Sequence, residues 1–199
     1  MAGHYYDKQP KTESRETQVT ARLRNRQYKF VGDRGVFSKN EVDFGSRLLI
    51  ESFEWSEPAG DIADIGCGYG PIGIALAAET SHQVWMADVN ERALALAKRN
   101  AEAAGAANTR IVESNLLENI DKDDFAAILT NPPIRAGKKV VHSLFEQSWK
   151  KLVPKGELWV VIQKKQGAPS AKEKLTSLFD YVETKKKEKG YYIFIAKKI

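Results

Sequence analysis

The sequence predicts an α/β fold: a seven-stranded, mostly parallel sheet covered by helices on both faces, with one antiparallel strand and an N-terminal β-hairpin extension. Three observations predict it. From residue 61 onward, short apolar runs alternate with helical stretches, which is the pattern of strands joined by helical crossovers. The runs are apolar throughout, as strands buried on both faces must be. The last two runs are separated only by Lys189-Gly190, too little chain for a crossover, so they must pair antiparallel.

The elements follow in order. The first dozen residues are polar, and residues 1–18 are expected to be flexible. Val19, Ala21 and Leu23, then Tyr28 and Phe30, alternate with polar residues about Asn25 and read as a hairpin. A loop bracketed by Gly32 and Gly35 leads to Val36-Phe37-Ser38, so residues 19–40 form the extension and residues 41–199 the catalytic core of a single domain. Phe44 to Phe53 has helical spacing. Ile62-Ala63-Asp64-Ile65 is a short strand, followed by a glycine cluster and a helix through Ile72, Ile74 and Leu76. Val84 to Ala87 is the next strand, and the alanine-rich stretch Glu91 to Ala104 is a helix closed by Gly105. Further strands are expected at Ile111-Val112, Ala126 to Thr130 and Glu157 to Ile162, with a helix from about Lys138 to Leu152. A helix from Ser170 to Phe179 and strands Tyr181 to Thr184 and Tyr191 to Ala196 complete the chain.

Composition bounds the function. At 199 residues, 42% hydrophobic and 29% charged, the chain is long enough to bury its own core and is neither disordered nor fibrous. Its apolar runs fall short of the roughly 18 residues needed to span a bilayer, and its start lacks a signal-peptide layout, so a cytoplasmic protein with no membrane partner is expected. Cys67 is the single cysteine, which excludes an internal disulfide, and His4, His82 and His142 lack metal-ligand spacing, so no metal is expected. The net charge of +5 is unevenly spread: +4 over residues 1–35, −6 over residues 36–150 and +7 over residues 151–199. Basic ends around an acidic middle suit a polyanionic partner.

Two motifs carry chemistry. Asp64-Ile65-Gly66-Cys67-Gly68-Tyr69-Gly70 stands between a strand and a helix, where alternate glycines let the chain turn sharply and let a ligand lie against the backbone. Asp88 ends the following strand, where a carboxylate can accept both hydroxyls of a ribose. The loop is not the G-x-G-x-x-G of dinucleotide sites, and Asp64 would repel a diphosphate while favouring a cationic ligand. Asn131-Pro132-Pro133-Ile134 follows the strand ending at Thr130. Its prolines fix φ and remove donors, so the asparagine oxygen and the carbonyl of Asn131 or Pro132 can grip both hydrogens of a planar amine. Cys67 lies inside the glycine turn, so it does not read as a nucleophile, and Trp85, Trp149 and Trp159 read as core.

The glycine motif resembles motif I of class I S-adenosylmethionine methyltransferases, and the second resembles the N-P-P motif of amino-methyltransferases. The wider chain, through Gly35-Val36-Phe37-Ser38, Asp43-Phe44-Gly45-Ser46, both motifs and Asp88, resembles the small-domain family of ribosomal RNA guanine-N2 methyltransferases, the RsmC and RlmG type. Short single-domain members share Asn131 to Gly137 and Gln163-Lys164-Lys165-Gln166-Gly167. The resemblance implies a Rossmann-like methyltransferase fold with S-adenosylmethionine as cofactor. By it, Asp64, Gly66, Cys67, Gly68 and Gly70 shape the cofactor site and Asp88 binds the ribose. Val89, Ser114 and Asn115 lie by the adenine, Val89 packing on its face and Asn115 meeting its edge. Asn131, with Pro132, Pro133 and Ile134, holds the acceptor amine beside the cofactor. Many relatives have N-P-P-F-H and a second, cofactor-free domain, and this chain lacks both.

The expected reaction is methylation of the exocyclic N2 amine of a guanine in ribosomal RNA, presented as free RNA, a ribosomal subunit or an assembly intermediate, by a monomer or homodimer. Adenine-N6 or protein-glutamine amide methylation is the alternative, although such enzymes usually carry an aromatic residue in place of Ile134. A non-catalytic RNA-binding or assembly factor retaining the cofactor pocket, and an NAD oxidoreductase, are the readings from other classes. Arg22, Arg24 and Arg26, sharing one face of the hairpin, and Arg135, Lys138, Lys139, Lys164 and Lys165 on the edge carrying the motif loops, are the expected phosphate contacts.

Overall fold

The computed structural model describes residues 8–9, 12–38, 40–55 and 57–199; His4 lies outside them. Strands β1 (Glu16–Leu23) and β2 (Arg26–Asp33) form the N-terminal hairpin. Arg24 and Asn25 take φ of +47° and +63°, the paired left-handed conformation that matches the twist of a two-residue hairpin. β1 begins inside the stretch expected to be flexible. Ser14 Oγ, 2.6 Å from Asp33 Oδ2, and the Glu16–Arg99 ion pair tie this end of the hairpin down.

The core follows as α1 (Phe44–Ser52), β3 (Ile62–Ile65), α2 (Pro71–Ala77), β4 (Val84–Asp88), α3 (Glu91–Ala103), β5 (Thr109–Glu113) and β6 (Phe125–Thr130). A 3-10 turn (Ile134–Ala136), α4 (Lys138–Lys151), β7 (Leu152–Gln163), a second 3-10 turn (Lys164–Gln166), α5 (Ala168–Leu178), β8 (Tyr181–Glu188) and β9 (Tyr191–Lys197) complete it. Local chemistry explains the helix starts. Asp43 caps α1 by accepting from Ser46 N–H, Asn90 caps α3 by accepting from Ala93 N–H, and Pro71 opens α2.

The strands form one sheet in the order β5-β4-β3-β6-β7-β9-β8. β9 lies antiparallel to both β7 and β8, and the other pairings are parallel. The sheet thus has seven strands with one reversed, as the sequence predicts. Several strands run past their expected ends, β7 and β8 the furthest. β7 starts at Leu152, which pairs with Phe125 ahead of an irregularity, and Pro154-Lys155-Gly156 hides this start by breaking the apolar run. β8 extends through Lys185-Lys186-Lys187, because these lysines lie on a sheet edge where charge is solvated and discourages pairing with other chains.

Two cores sandwich the sheet. One joins α1, α2 and α3 to the sheet and takes in the hairpin as an outer layer through Val19, Leu23, Tyr28 and Phe30. The other packs Leu144 and Phe145 of α4 and Leu175 of α5 against Ile128 and Leu158. Trp85 and Trp159 are buried as expected. Trp149 is not: it is 37% exposed, with Lys198 Nζ 4.6 Å above its ring. Its place in the last turn of α4 carries it past the end of the core. Among the described residues no helix is long and apolar enough to cross a membrane. The strand order reverses between β3 and β6, which opens a crevice at their carboxyl ends, the usual ligand position in open α/β sheets.

Candidate active site

β3 carries Asp64 to that edge. Its Oδ2 accepts from Gly73 N–H in α2 at 2.9 Å, while Oδ1 is buried without a partner. Burial, helped by the charge of Asp88, raises the carboxyl from 3.8 to about 7. The turn that follows is stitched to β4, since Gly66 and Cys67 N–H both donate to the Ala87 carbonyl, at 2.8 and 3.0 Å. Gly66, Gly68 and Gly70 have φ of +77°, +57° and +103°, which side chains rarely adopt. A Cβ on Gly68 would meet no atom within 4 Å, because it would project into the cleft. A ligand can therefore lie against the main chain there.

The cleft and the open solvent at its mouth together hold about 880 Å3. Asp88 stands at its wall, accepting from Gly68 N–H through Oδ2 and from Asn90 N–H through Oδ1, both at 2.9 Å; burial raises its pKa. Val89 N–H also acts on the carboxylate, which leaves one of its four lone-pair positions for a hydroxyl. Cys67, Val89, Ser114 and Leu116 continue the wall, and burial keeps the Cys67 thiol protonated. Asp64 lies beneath the loop rather than in the wall. Asn115 is exposed and outside it, and its neighbour Ser114 faces the cleft instead.

β6 brings the second motif beside the glycine turn, with Thr130 Oγ1 donating to the Ile65 carbonyl at 2.8 Å. The Asn131 amide nitrogen donates to Asp43 Oδ2 and to Ser46 Oγ, both at 3.0 Å. A carboxylate only accepts, so the atom facing Asp43 is the nitrogen, and Oδ1 is the acceptor the side chain has left to offer. The motif was expected to leave its carbonyls free, but the Pro132 carbonyl accepts from Ile134 N–H at 2.8 Å, because the chain turns at once into the 3-10 segment. One lone pair of that oxygen is used. Asp43 and Ser46 were not recognised as site residues. Their spacing signals a helix cap, and nothing local shows that the same groups clamp a side chain 88 and 85 positions away.

Asn131 and Pro132 also line a second cleft, bounded by Arg34, Glu41, Ile134, Arg135, Gln163, Gln166 and Tyr191 and shared with the first at Val36, Phe37, Ser38 and Asp43. Asn131 and Pro132 thus stand in the wall between two spaces. Arg135 lines the second space; Lys138, Lys139, Lys164 and Lys165 are exposed on the same sheet edge, and Lys164 N–H donates to the Gly190 carbonyl at 2.8 Å. The hairpin arginines are placed otherwise. Register sets Arg22 opposite Gln27 and Arg26 opposite the inward-facing Leu23, so they do not share a face. Arg24 turns inward to Glu79 and to the Ile50 and Phe53 carbonyls at the far end of α1.

These residues fit S-adenosylmethionine. Asp88, half-buried in the wall, brings a carboxylate and acceptor capacity for a ribose hydroxyl, Asp64 adds negative charge beneath the loop, and Gly68 leaves room at the main chain.

The comparisons agree with this geometry. The chain is 57% identical over its whole length to the uncharacterized protein YbxB of Bacillus subtilis. It is 35% identical over 132 residues to ribosomal RNA small subunit methyltransferase C of Photorhabdus laumondii, which aligns 64% of this chain with 38% of that protein. The T. Thermophilus 16S rRNA N2 G1207 methyltransferase, solved with AdoMet and guanosine, superposes with a TM-score of 0.82 at 24% identity, covering 96% of this chain and 52% of that one. The chain therefore spans about half or less of the ribosomal RNA methyltransferases it matches. The profile of the methyltransferase small domain matches residues 27–195, and the chain belongs to that family.

Proposed function

We propose that the protein is an S-adenosylmethionine-dependent N-methyltransferase whose acceptor is the exocyclic N2 amine of a guanine in ribosomal RNA. The observation that carries this reading is the clamp on Asn131: both amide hydrogens are held by Asp43 and Ser46, which commits Oδ1 to accepting from a substrate N–H. The cofactor supplies a methyl group on a sulfonium, an electrophile that needs no activation. The protein's part is position. Asn131 Oδ1, with the remaining lone pair of the Pro132 carbonyl, takes the two amine hydrogens and turns the nitrogen lone pair toward the first cleft. The amine proton becomes acidic only as the new bond forms, so water can take it and no strong base is required. Asp88 holds the ribose, and the glycine turn backs the methionyl part. The matched relatives named as ribosomal RNA methyltransferases, and the net positive charge, support RNA as the acceptor.

The test is tritium transfer from labelled cofactor to unmodified ribosomal RNA or subunits, with the methylated nucleoside identified by mass spectrometry. N2-methylguanosine is expected. N6-methyladenosine or a methylated protein amide would replace the acceptor, and no transfer would leave an RNA-binding role. Asn131→Ala should bind S-adenosylhomocysteine within about twofold of wild type while losing about 100-fold or more in turnover, because only orientation is removed. Full turnover in that variant would overturn the mechanism.

A further inference from the structure

The second cleft contains a polar group that the mechanism above does not use. Gln163 ends β7, the strand next to β6, which delivers Asn131. It lines the second cleft together with Asn131, Ile134 and Arg135, yet its Oε1 is buried and has no hydrogen-bond partner. A closed-off acceptor without a donor costs about 1–3 kcal/mol, so such a group at a cleft calls for a ligand that completes it. A donor in the cleft completes it once the carboxamide turns its oxygen toward that space.

On the reading that Asn131 Oδ1 takes the amine of a guanine, the chemistry of the next atom is fixed. Beside its exocyclic N2 amine the guanine edge carries the N1–H, a second donor, and beyond that O6, an acceptor. Adenine places an unprotonated N1, an acceptor, beside its N6 amine, and two acceptors facing each other repel. A carboxamide side chain places its carbonyl oxygen, an acceptor, beside its NH2, so it too has no second donor at that place.

We propose that Gln163 is a specificity residue that reads the N1–H of the target guanine through Oε1, while Asn131 holds the neighbouring N2 amine. The two acceptors come from neighbouring strands that end at one cleft and face two neighbouring donors of the base, and Arg135 at the same cleft supplies donors suited to O6. A site built to hydrogen-bond a substrate N–H rejects analogues that lack it more strongly than an apolar pocket rejects a misfit, because the site's buried polar group is left unpaired. Selection for guanine then comes from β7 and not from the residue at position 134, whose aliphatic side chain cannot choose between purines by hydrogen bonding.

The proposal rests on the guanine-N2 reading, and one experiment separates the two. Methyl transfer to ribosomal RNA is measured for wild type, Gln163→Glu and Gln163→Met, with product nucleosides identified and S-adenosylhomocysteine affinity measured in parallel to report on the fold. Glutamate keeps an acceptor and cannot present a donor in its ionised form, and methionine keeps the length without a strong acceptor. The expected result is N2-methylguanosine from wild type, kcat/KM within about threefold for Gln163→Glu, and a loss of about tenfold or more, mainly in KM, for Gln163→Met, with S-adenosylhomocysteine affinity unchanged in both. Wild-type activity with Gln163→Met unimpaired, or Gln163→Glu falling as far as Gln163→Met, overturns the role of Gln163 and leaves the guanine reading standing. Any product other than N2-methylguanosine from wild type overturns both.

Discussion

At Asp64 a single carboxyl is held against its own solvation. Burial raises it from 3.8 to about 7, so the folded protein binds a proton there more tightly than the unfolded chain does. A carboxyl raised in this way stabilises the fold fully below pH 3.8, and the contribution is lost as pH climbs through the window from 3.8 to about 7. The cofactor-free protein should therefore be less stable at pH 8 than at pH 5.5, by about 2 kcal/mol from this residue. Urea unfolding at both values checks it, and Asp64→Asn, which keeps an acceptor for Gly73 N–H, should flatten the difference. The glycine turn and Asp88 were legible because each needs only a local pattern: residues able to take positive φ, and a carboxylate at a strand end. The Asp43–Asn131 clamp was not, since sequence spacing carries no information on which distant groups a helix cap will also meet.

Among the elements, the hairpin shows how a charged residue misleads. Alternation reads Arg24 as one of a basic stripe, but a two-residue turn puts it in the left-handed conformation and swings its guanidinium toward α1. There it satisfies carbonyls at the end of α1 and pairs with Glu79, fastening the outer layer to the core. Arg24→Ala is expected to cost about 1–2 kcal/mol, lowering Tm by about 3–8 °C, without changing affinity for RNA. A thermal melt and a filter-binding assay read the two effects. β7 and β8 were under-read for related reasons. Proline, glycine and lysine weaken the apolar alternation, whereas ladder pairing and edge exposure decide what the backbone does. The fold class and strand count survived these errors because they rest on the number and order of apolar runs rather than on where each run ends.

At the scale of the molecule, charge is sorted by partner. Lys122, Arg99 and Lys174, away from the clefts, are held by Asp61, Glu16 and Glu146. Among the described residues Arg135, Lys138 and Lys164, on the cleft edge, are in no ion pair, so they can neutralise phosphates without first breaking an internal contact. Replacing all three by alanine should lower the slope of log binding constant against log salt by about 2, near the value of about 0.7 per contact for single strands. An unchanged slope would remove these residues from the interface. The partition at Asn131 and Pro132 carries a further consequence. Since the two spaces share that wall, any shift of Asn131 or Pro132 that reshapes one of them reshapes the other as well.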